Sequence, residues 1–472
     1  MRGMSALWTS AEIEAATGGR ASAEFAVSGV TFDSREVGPG DLFVAMPGTV
    51  HDGHAFVAGA FGKGAAAALV SQPVDGPHVL VSDVAEALAA LASAARARLD
   101  DKAVVIGVTG SVGKTSTKEA LAAALARSRK GHVHRSVKSY NNHTGVPLSL
   151  ARMPRDTCFA VLEMGMNHAG EIAALTRLVR PHVALITAIA PAHIENLGSI
   201  EAIADAKGEI FEGLEGPRIG IIPEDTPQRE RLVRSARGRA DELITFGRAE
   251  GADVTALHAV DAGLGTLVTA RLLKSELTFT LSQRGDHWIS NALALLAVVE
   301  AAGGDLAAAG LALGDLGGLK GRGERHRIAL AGGGEALLID ESYNANPASM
   351  AATLKSLGEE AVEGRRIAVL GPMRELGEES EREHAAIAEP VLAARVERLI
   401  LIGPEFEGLA AALDGRIAVS RASGVEEAGD LLLAELRAGD AVLVKASNSI
   451  GLAKLVERVA GGARPAEQDT AD

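Results

Sequence analysis

A buried strand that runs directly into a glycine-rich loop is the strongest structural signal in this sequence. Residues 104–108 (VVIGV) form an apolar, mostly β-branched run, which is typical of a parallel strand covered on both faces. The loop 110–115 (GSVGKT) follows, and a helical pattern covers residues 115–127. Glycines let the backbone approach an anion, and the N–H groups at the start of a helix favour phosphate. The pattern predicts that Lys114 reaches nucleotide phosphates and that the Thr115 hydroxyl holds Mg²⁺.

This loop is shorter than the usual phosphate motif, because only two residues separate Gly110 from Gly113. A glycine-rich turn with a chance lysine is the alternative interpretation. The order of strand, loop, Lys-Thr pair and helix favours phosphate binding. By itself, the motif indicates a nucleotide and not a particular reaction.

Apolar runs and helical patterns alternate along most of the chain, which predicts parallel sheets covered by helices. The other predicted strands are 27–30, 41–45, 159–163, 183–189, 219–222, 336–340, 367–370, 399–402 and 441–444. The other predicted helices are 84–99, 169–179, 200–213, 347–358, 381–396, 424–437 and 449–460. Residues 251–283 alternate in polarity and are expected to form antiparallel strands.

The same patterns divide the 472 residues into three expected domains of an α/β protein. We expect a small mixed α/β domain over residues 1–99. A central nucleotide-binding domain with a phosphate loop and a parallel sheet is expected over residues 100–322. A Rossmann-like α/β domain is expected over residues 323–472.

Composition excludes several classes of protein. The net charge of −14 and an aromatic content of 3% argue against nucleic-acid binding, which favours a basic face and stacking rings. No apolar stretch approaches the roughly 18 residues of a membrane span, and the first residues lack the apolar part of a signal peptide. A cytoplasmic location is therefore expected. The single cysteine, Cys158, excludes an internal disulfide and a multi-cysteine zinc site, and its apolar surroundings in sequence predict a buried thiol.

Polar residues follow the predicted strands, at the edge where α/β sheets bind ligands. Glu163 ends a strand and suits a Mg²⁺ ligand, although an exposed strand-end carboxylate is the alternative. His193 follows the strand 183–189, in a position where a lone histidine is usually only solvated. Lys207 lies between acidic residues on a predicted helix, which by itself favours a surface ion pair.

Two loops rich in hydrogen-bonding side chains have two interpretations each. Residues 140–147 (YNNHTGVP) form either an Asx-type turn or a substrate loop. Residues 340–347 (DESYNANP) contain Tyr343, one of only two tyrosines, and lie between a strand and a helix. They contact a ligand or cap the helix, with Pro347 near its first position, and the two roles are compatible.

Taken together, these segments resemble the Mur ligases, the ATP-dependent amide-forming enzymes of peptidoglycan synthesis. The shortened loop 109–118 (TGSVGKTSTK) has the form that this family uses. The resemblance covers essentially residues 28–460. Its strings are SR at 34–35, GDLFVA at 40–45, DGH at 52–54, YNN at 140–142, GVP at 145–147, EMG at 163–165, NH at 167–168, GE at 170–171, PAH at 191–193, AKGE at 206–209, GRG at 321–323 and SYNANP at 342–347.

The resemblance implies an ADP-forming amide ligase that acts through an acyl phosphate. Its expected substrates are ATP, UDP-N-acetylmuramoyl-tripeptide and D-alanyl-D-alanine, because the string YNANP at 343–347 is typical of the branch that adds this dipeptide. A monomer is expected, with domain 1–99 binding the UDP-linked substrate and the third domain closing to deliver the dipeptide.

The resemblance also implies roles for individual residues. Those implied to bind ATP are Gly110, Ser111, Gly113, Lys114, Thr115, Ser116, Asn291, Arg322 and Glu341. Two Mg²⁺ ions are implied, the first on Thr115 and Glu163 and the second on His193 and a carbamylated Lys207. A carbamate gives Lys207 an anionic oxygen ligand in place of a cation, which replaces the surface ion pair as the interpretation. The implied catalytic residues are Lys114, His193 and Lys207. The implied substrate contacts are Ser34, Arg35 and Thr49 at the UDP end, together with Asn142, Tyr343 and Asn346.

Four positions of the third domain depart from the family pattern. Glu341 stands where Asp is usual and is expected to meet the ATP ribose. Pro372 also replaces an Asp, and Ala446 and Asn448 replace Gly and Arg. These departures are expected to change contacts made by the third domain and not the type of reaction.

Two alternative functions are compatible with parts of the sequence. A sibling ligase would add a single amino acid to a shorter precursor, and the string at 343–347 argues against it. A P-loop switch or regulatory ATPase would have no ligase activity. The sequence has no Asn-Lys-x-Asp guanine signature, and a switch would not need Glu163, His193 and Lys207 together.

Overall fold

The computed structural model describes residues 6–48, 52–191, 194–263, 265–330 and 332–461. They form three α/β units in chain order, each with its own main sheet, which confirms the predicted fold class. No helix within these residues is long and apolar enough to cross a membrane.

The first unit is a small mixed sheet with order β2-β7-β6-β5-β4, in which only β2 is antiparallel. Its strands, with the β1–β3 ribbon, are β1 (Trp8–Thr9), β2 (Arg20–Ala21), β3 (Ala26–Val27), β4 (Gly29–Thr31), β5 (Asp41–Val44), β6 (Ala67–Val70) and β7 (His78–Leu80). Its helices are α1 (Ser10–Thr17), α2 (Val57–Gly62) and α3 (Val84–Ala97). The predicted strand 27–30 is wrong as a single element, because Ser28 bonds to the carbonyl of Gly40 and separates β3 from β4.

The second unit is a nine-stranded sheet with order β16-β15-β14-β13-β12-β11-β8-β10-β9. Its strands are β8 (Val104–Thr109), β9 (Val133–Arg135), β10 (Phe159–Glu163), β11 (Val183–Ile186), β12 (Ile219–Pro223), β13 (Glu242–Gly247), β14 (Val254–Asp261), β15 (Thr266–Arg271) and β16 (Glu276–Leu281). Its helices are α4 (Lys114–Ser128), α5 (Gly145–Ala151), α6 (Glu171–Val179), α7 (Ile194–Leu197), α8 (Ile200–Gly208), α9 (Arg229–Ala236), α10 (Asp286–Ala301) and α11 (Leu306–Gly314). The expected antiparallel strands over 251–283 are confirmed as β14, β15 and β16.

Three details of this unit correct the sequence predictions. The strand expected at 183–189 ends at Ile186, which pairs with Thr109, because Thr109 is the last residue of β8 before the phosphate loop and β11 has no further partner there within the described residues. The helix expected at 200–213 becomes a 3₁₀ turn from Glu209 onward. Cys158 is only half-buried, because it lies just before β10 at the open end of the sheet rather than inside the strand.

The third unit is a six-stranded sheet with order β17-β18-β22-β19-β20-β21, antiparallel only between β17 and β18. Its strands are β17 (Glu324–Ala329), β18 (Glu335–Glu341), β19 (Arg366–Leu370), β20 (Arg398–Ile402), β21 (Ala418–Ala422) and β22 (Ala441–Lys445). Its helices are α12 (Pro347–Glu359), α13 (Ser380–Ala386), α14 (Ala388–Ala393), α15 (Glu407–Ala412), α16 (Val425–Glu435) and α17 (Ala453–Gly461).

Two predicted helices of this unit have different bounds in the structure. The helix expected at 381–396 is broken at Ile387, because Pro390 has no N–H and its ring would clash with the carbonyl of residue 386. The helix expected at 449–460 begins only at Ala453, after a 3₁₀ turn that ends at Gly451 in the left-handed region, with φ of 80°.

Candidate active site

One cavity of about 450 Å³ lies where the second and third units meet. The carboxyl ends of β8 and β10 open into it from one side, and those of β18 and β22 open into it from the other. Most of the sequence-predicted site residues line it. They are Ser111, Gly113, Lys114, Thr115, Ser116, Asn142, Glu163, Lys207, Asn291, Arg322, Glu341, Tyr343 and Asn346.

The phosphate loop is a tight connection between β8 and α4 that only glycine allows at two positions. Gly110 and Gly113 have φ of 149° and 84°. A Cβ atom on Gly113 would lie 2.8 Å from Oδ1 of Asn291, and one on Gly110 would collide with the Thr187 hydroxyl. The Lys114 ammonium donates to the Gly110 carbonyl at 2.6 Å, and burial lowers its pKa. The loop therefore presents helix-start N–H groups and a lysine to an anion.

The Thr115 hydroxyl and the Glu163 carboxylate meet at the start of α4. The hydroxyl donates to Oε2 of Glu163 at 2.9 Å, and the amide of Asn141 donates to Oε1 at 2.8 Å. Glu163 is 1% exposed but borders the cavity, so the exposed-carboxylate alternative is wrong. A hydroxyl and a carboxylate at this distance are the hard oxygen donors that Mg²⁺ takes, and they fit one such ion.

Lys118, one helical turn after Lys114, was not among the residues predicted from the sequence. Its ammonium lies 3.8 Å from Oε2 of Glu163 and 2.9 Å from Glu119, and it is completely buried. It also donates to the carbonyls of Ser136 and Lys138. The spacing of four residues from Lys114 on a helix could have revealed it, because residues i and i+4 share a face.

Lys207 is buried, which contradicts a surface ion pair. Helices place residues four apart on one face, and Ile203 and Lys207 both face inward from α8. The side chain is 1% exposed and reaches the cavity wall. Burial and the nearby Lys114 ammonium lower the pKa of Lys207 well below its usual value. This amine is therefore held where its neutral form is favoured.

The third unit contributes a cation and an ion pair to the cavity. The guanidinium of Arg322 lies over the Tyr343 ring, 4.0 Å from its centre. The Lys445 ammonium lies 3.5 Å from Glu341 and donates to the Asn344 carbonyl at 3.0 Å. Burial raises the pKa of Glu341 and lowers that of Lys445. Lys445 is not among the residues predicted from the sequence, although its place directly after the predicted strand 441–444 is an available signal.

Each of the two loops with two interpretations forms the predicted turn or cap and also borders the cavity. Asn142 accepts from the Gly145 N–H at 2.9 Å, which is an Asx-type turn, and it also lines the cavity. Asn346 caps α12 by accepting from the Ser349 N–H at 2.9 Å, and it lines the cavity too. Pro347 is the first residue of α12, as expected for a capped helix start.

Ser34 and Arg35, two of the predicted UDP-side residues, do not line this cavity. Arg35 is exposed and pairs with Asp33 at 2.7 Å, while the Ser34 carbonyl accepts from Lys63 at 2.7 Å. The turn that contains Ser34 and Arg35 contacts the second unit through an ion pair between Glu36 and Lys138. Thr49 and His193 lie outside the described residues. Among the departures from the family pattern, Asn448 borders the cavity.

Three family models match successive parts of the chain. "Mur ligase family, catalytic domain" matches residues 26–98, "Mur ligase middle domain" matches 108–299, and "Mur ligase, glutamate ligase domain" matches 322–448. The chain belongs to the Mur ligase family.

Individual relatives show which branch of the family this chain resembles. The UDP-N-acetylmuramoyl-tripeptide--D-alanyl-D-alanine ligase of Escherichia coli (strain K12) is 36% identical, over 92% of this chain and 94% of the relative. The crystal structure of MurF from Acinetobacter baumannii has a TM-score of 0.81 and 29% identity, covering 96% of this chain and 99% of the other. MurF ligase from Thermotoga maritima, solved in complex with ADP, has a TM-score of 0.76 and 28% identity, covering 92% and 97%.

Proposed function

We propose that this chain joins D-alanyl-D-alanine to UDP-N-acetylmuramoyl-tripeptide, with conversion of ATP to ADP and phosphate. The observation that carries the proposal is one cavity in which the phosphate loop, the Thr115–Glu163 pair and the buried Lys207 face Arg322 and Tyr343 of the third unit. The E. coli relative, named for this reaction, is similar over nearly the whole chain. The product is the UDP-muramoyl-pentapeptide of peptidoglycan synthesis, made in the cytoplasm.

ATP binds with its phosphates on the loop and its nucleoside toward the third unit. Ser111, Ser116 and the loop N–H groups surround the phosphates, and Lys114 neutralises their charge. Asn291 adjoins the loop at Gly113, where a Cβ atom would touch it. Arg322 and Glu341 line the same cavity opposite the phosphate loop, which supports the binding of ATP between the two units and a contact of both residues with the nucleotide.

Thr115 and Glu163 hold one Mg²⁺ ion, and His193 with Lys207 holds a second. Bound Mg²⁺ neutralises phosphate charge and orients the transferred group. Lys207 would serve as a ligand after carbamylation: its neutral amine nitrogen bonds to the carbon of CO₂, one C–O π bond opens to a carboxylate oxygen, and one N–H proton is released to solvent. Its burial beside the Lys114 ammonium supports this step, because Lys114 attracts a carbamate anion there, whereas it would repel a protonated Lys207.

The reaction has two steps. The terminal carboxylate of the tripeptide attacks the γ-phosphorus of ATP, the bond to ADP breaks, and an acyl phosphate forms. The amine of the dipeptide then attacks the acyl carbon, and the tetrahedral intermediate releases phosphate. Lys114 and Arg322 offset the charge that develops on the phosphate, and closure of the third domain excludes water from the acyl phosphate.

The UDP-linked substrate contacts the first unit with its UDP end and the cavity with its peptide end. Ser34, Arg35 and Thr49 contact the UDP end. Asn142 lies at the cavity on the side of the second unit, and Tyr343 and Asn346 lie on the third. Asn142, Tyr343 and Asn346 contact the tripeptide of the UDP-linked substrate and the incoming dipeptide.

The test is phosphate release from ATP in the presence of UDP-N-acetylmuramoyl-tripeptide. We expect strong release with D-alanyl-D-alanine and weak release with D-alanine or L-lysine alone. Preference for a single amino acid would assign the chain to a sibling reaction. Release that does not depend on the second substrate would indicate an ATPase without ligase activity. Mass spectrometry of the product, with a Lys114→Ala variant as the inactive control, distinguishes these outcomes.

A further inference from the structure

A second group of metal-type ligands lies on the sheet of the third unit. Glu324 on β17 is directly opposite Asp340 on β18, and His326 follows two residues later on β17. Opposed residues of an antiparallel pair share a face, as do residues i and i+2 of one strand. Ligand atoms of the two carboxylates and the imidazole all lie within 4.8 Å of one another.

This Glu324–His326–Asp340 cluster is separate from the nucleotide cavity. Asp340 and Glu341 are consecutive on β18, so their side chains point to opposite faces of the sheet. Glu341 lines the nucleotide cavity, whereas none of the three cluster residues does. The cluster therefore occupies the other face.

Asp340 is a buried carboxylate without an ion pair among the described residues. It is 1% exposed, and its oxygens accept from the N–H groups of Gly321 at 2.9 Å and Ser342 at 3.0 Å. The nearby Lys320 ammonium pairs instead with Glu457 of α17, at 2.8 Å. A carboxylate this buried costs free energy unless a positive charge compensates it.

The histidine of the cluster has unused ligand capacity. In the described part of the chain, Nε2 of His326 is buried and has no hydrogen-bond partner. It lies 3.6 Å from Oε2 of Glu324, which faces Asp340 across the ladder. Two carboxylates directly opposite each other repel. A cation between them would remove this repulsion and give the imidazole nitrogen a partner.

We propose that Glu324, His326 and Asp340 bind one divalent transition-metal ion of the Zn²⁺ type. One imidazole and two carboxylates form a donor set that Zn²⁺ takes, with the remaining position open to water. Mg²⁺ is not the expected ion, because it prefers oxygen ligands and retains several waters.

The ion would stabilise the segment around Gly321 that connects the second and third units. Asp340 already holds the N–H of Gly321, and the next residue, Arg322, lies over Tyr343 in the nucleotide cavity. A metal ion on Asp340 fixes this carboxylate and with it the start of the third unit. The site is structural and goes beyond the proposed ligase reaction.

The experiment titrates the full metal-free chain with Zn²⁺ by calorimetry, without nucleotide or substrate. We expect one ion per chain at the cluster. His326→Gln should weaken its binding at least about tenfold, since even the loss of a group that supports a metal ligand costs this much. Glu163→Gln should leave this binding unchanged, because Glu163 belongs to the other cavity. The matched control is His258→Gln, an exposed histidine on β14 that should change nothing.

Two outcomes would overturn the proposal. One is Zn²⁺ binding whose stoichiometry and affinity are the same in His326→Gln as in the unaltered chain, including binding that only Glu163→Gln abolishes. The other is no Zn²⁺ binding by the unaltered chain. Circular dichroism and thermal unfolding check each variant, and Glu324→Gln replaces His326→Gln if the latter does not fold. The titration requires no substrate, so its outcome is independent of the ligase reaction.

Discussion

The Lys118 ammonium lies 3.8 Å from Oε2 of Glu163, and both side chains are almost completely enclosed. Lys118 also bonds to the carbonyls of Ser136 and Lys138, in the segment that leads to Asn141. Since Asn141 in turn donates to Glu163, one buried lysine fixes both the carboxylate and the segment that supports it. Glu163 is thereby oriented toward Thr115 before any ion binds.

Replacement of Lys118 with Met should therefore impair Mg²⁺ and nucleotide binding as well as stability. Removing one partner of a buried ion pair costs about 3–5 kcal/mol, because the other charge remains buried and unpaired. We expect a lower unfolding temperature and weaker binding of Mg²⁺·ADP, measured by scanning calorimetry and titration calorimetry. Lys130→Met, at an exposed position just after α4, is the control. Unchanged Mg²⁺·ADP binding by a folded Lys118→Met protein would contradict the assigned role.

Replacement of Lys207 with Ala should abolish turnover. Loss of one group that stabilises the charge of the transition state typically costs about 10²–10³-fold in rate, which leaves little measurable turnover, and small carboxylates such as formate should restore part of it by replacing the carbamate. Phosphate release under ligase conditions measures both effects. Lys454→Ala, an exposed lysine on α17, should retain full activity. Normal turnover of Lys207→Ala would exclude the carbamate.

Replacement of Gly113 with Ala should reduce nucleotide binding more than stability. Gly113 has φ of 84°, and a left-handed conformation costs a non-glycine residue roughly 1–2 kcal/mol. Its Cβ atom would also press on Asn291, 2.8 Å away. Gly131→Ala is the matched control, because Gly131 has φ of 82° and nothing within 4 Å of an added Cβ. Both variants should lose thermal stability through the left-handed conformation, Gly113→Ala somewhat more because of Asn291, but only Gly113→Ala should lose ADP affinity. Equal ADP affinity of the two would contradict a phosphate loop.

Stability should fall on acidification through His134. Burial, with Arg152 and Arg135 nearby, lowers the pKa of His134 to about 4, and its Nε2–H donates to the Ser149 carbonyl at 2.7 Å. The unfolded chain takes up this proton near pH 6.5 and the folded chain only near pH 4. Between these values, acid favours the unfolded state, so the contribution of His134 is present above pH 6.5 and is lost as the pH falls.

The measurement is the unfolding temperature at pH 7.5 and pH 5. His134→Gln keeps an amide donor without the titration, so its unfolding temperature should fall less between these two pH values than that of the unaltered chain. His258→Gln, at an exposed position, should behave like the unaltered chain. An identical decrease in all three proteins would show that another group causes the acid sensitivity.

The charge around the cavity differs in sign from the net charge of the molecule. A chain of net charge −14 must bind anionic ATP and an anionic UDP-linked substrate. Lys114, Arg322 and Lys445 all border the same cavity, so cations concentrate where phosphate is expected. Local concentration of one charge sign in a cleft outweighs the net charge of the molecule.

The sequence by itself determined the elements whose signals are local. The apolar run 104–108, the glycine loop and the Lys-Thr pair predicted β8, the phosphate site and α4, because each depends on neighbouring residues. Strand ends also placed Glu163 and Glu341 correctly, since parallel strands present their carboxyl ends at one edge. The resemblance to a family supplied the grouping of distant segments.

Only the tertiary structure decided which side chains are enclosed and which meet. Flanking acids made Lys207 look like a surface residue, but the packing of α8 buries it. The partners Lys118 and Glu163 are 45 residues apart in sequence, and Glu324 meets Asp340 only through the pairing of β17 with β18. Burial and long-range pairing arise when separate elements pack together, and no local pattern of residues encodes them.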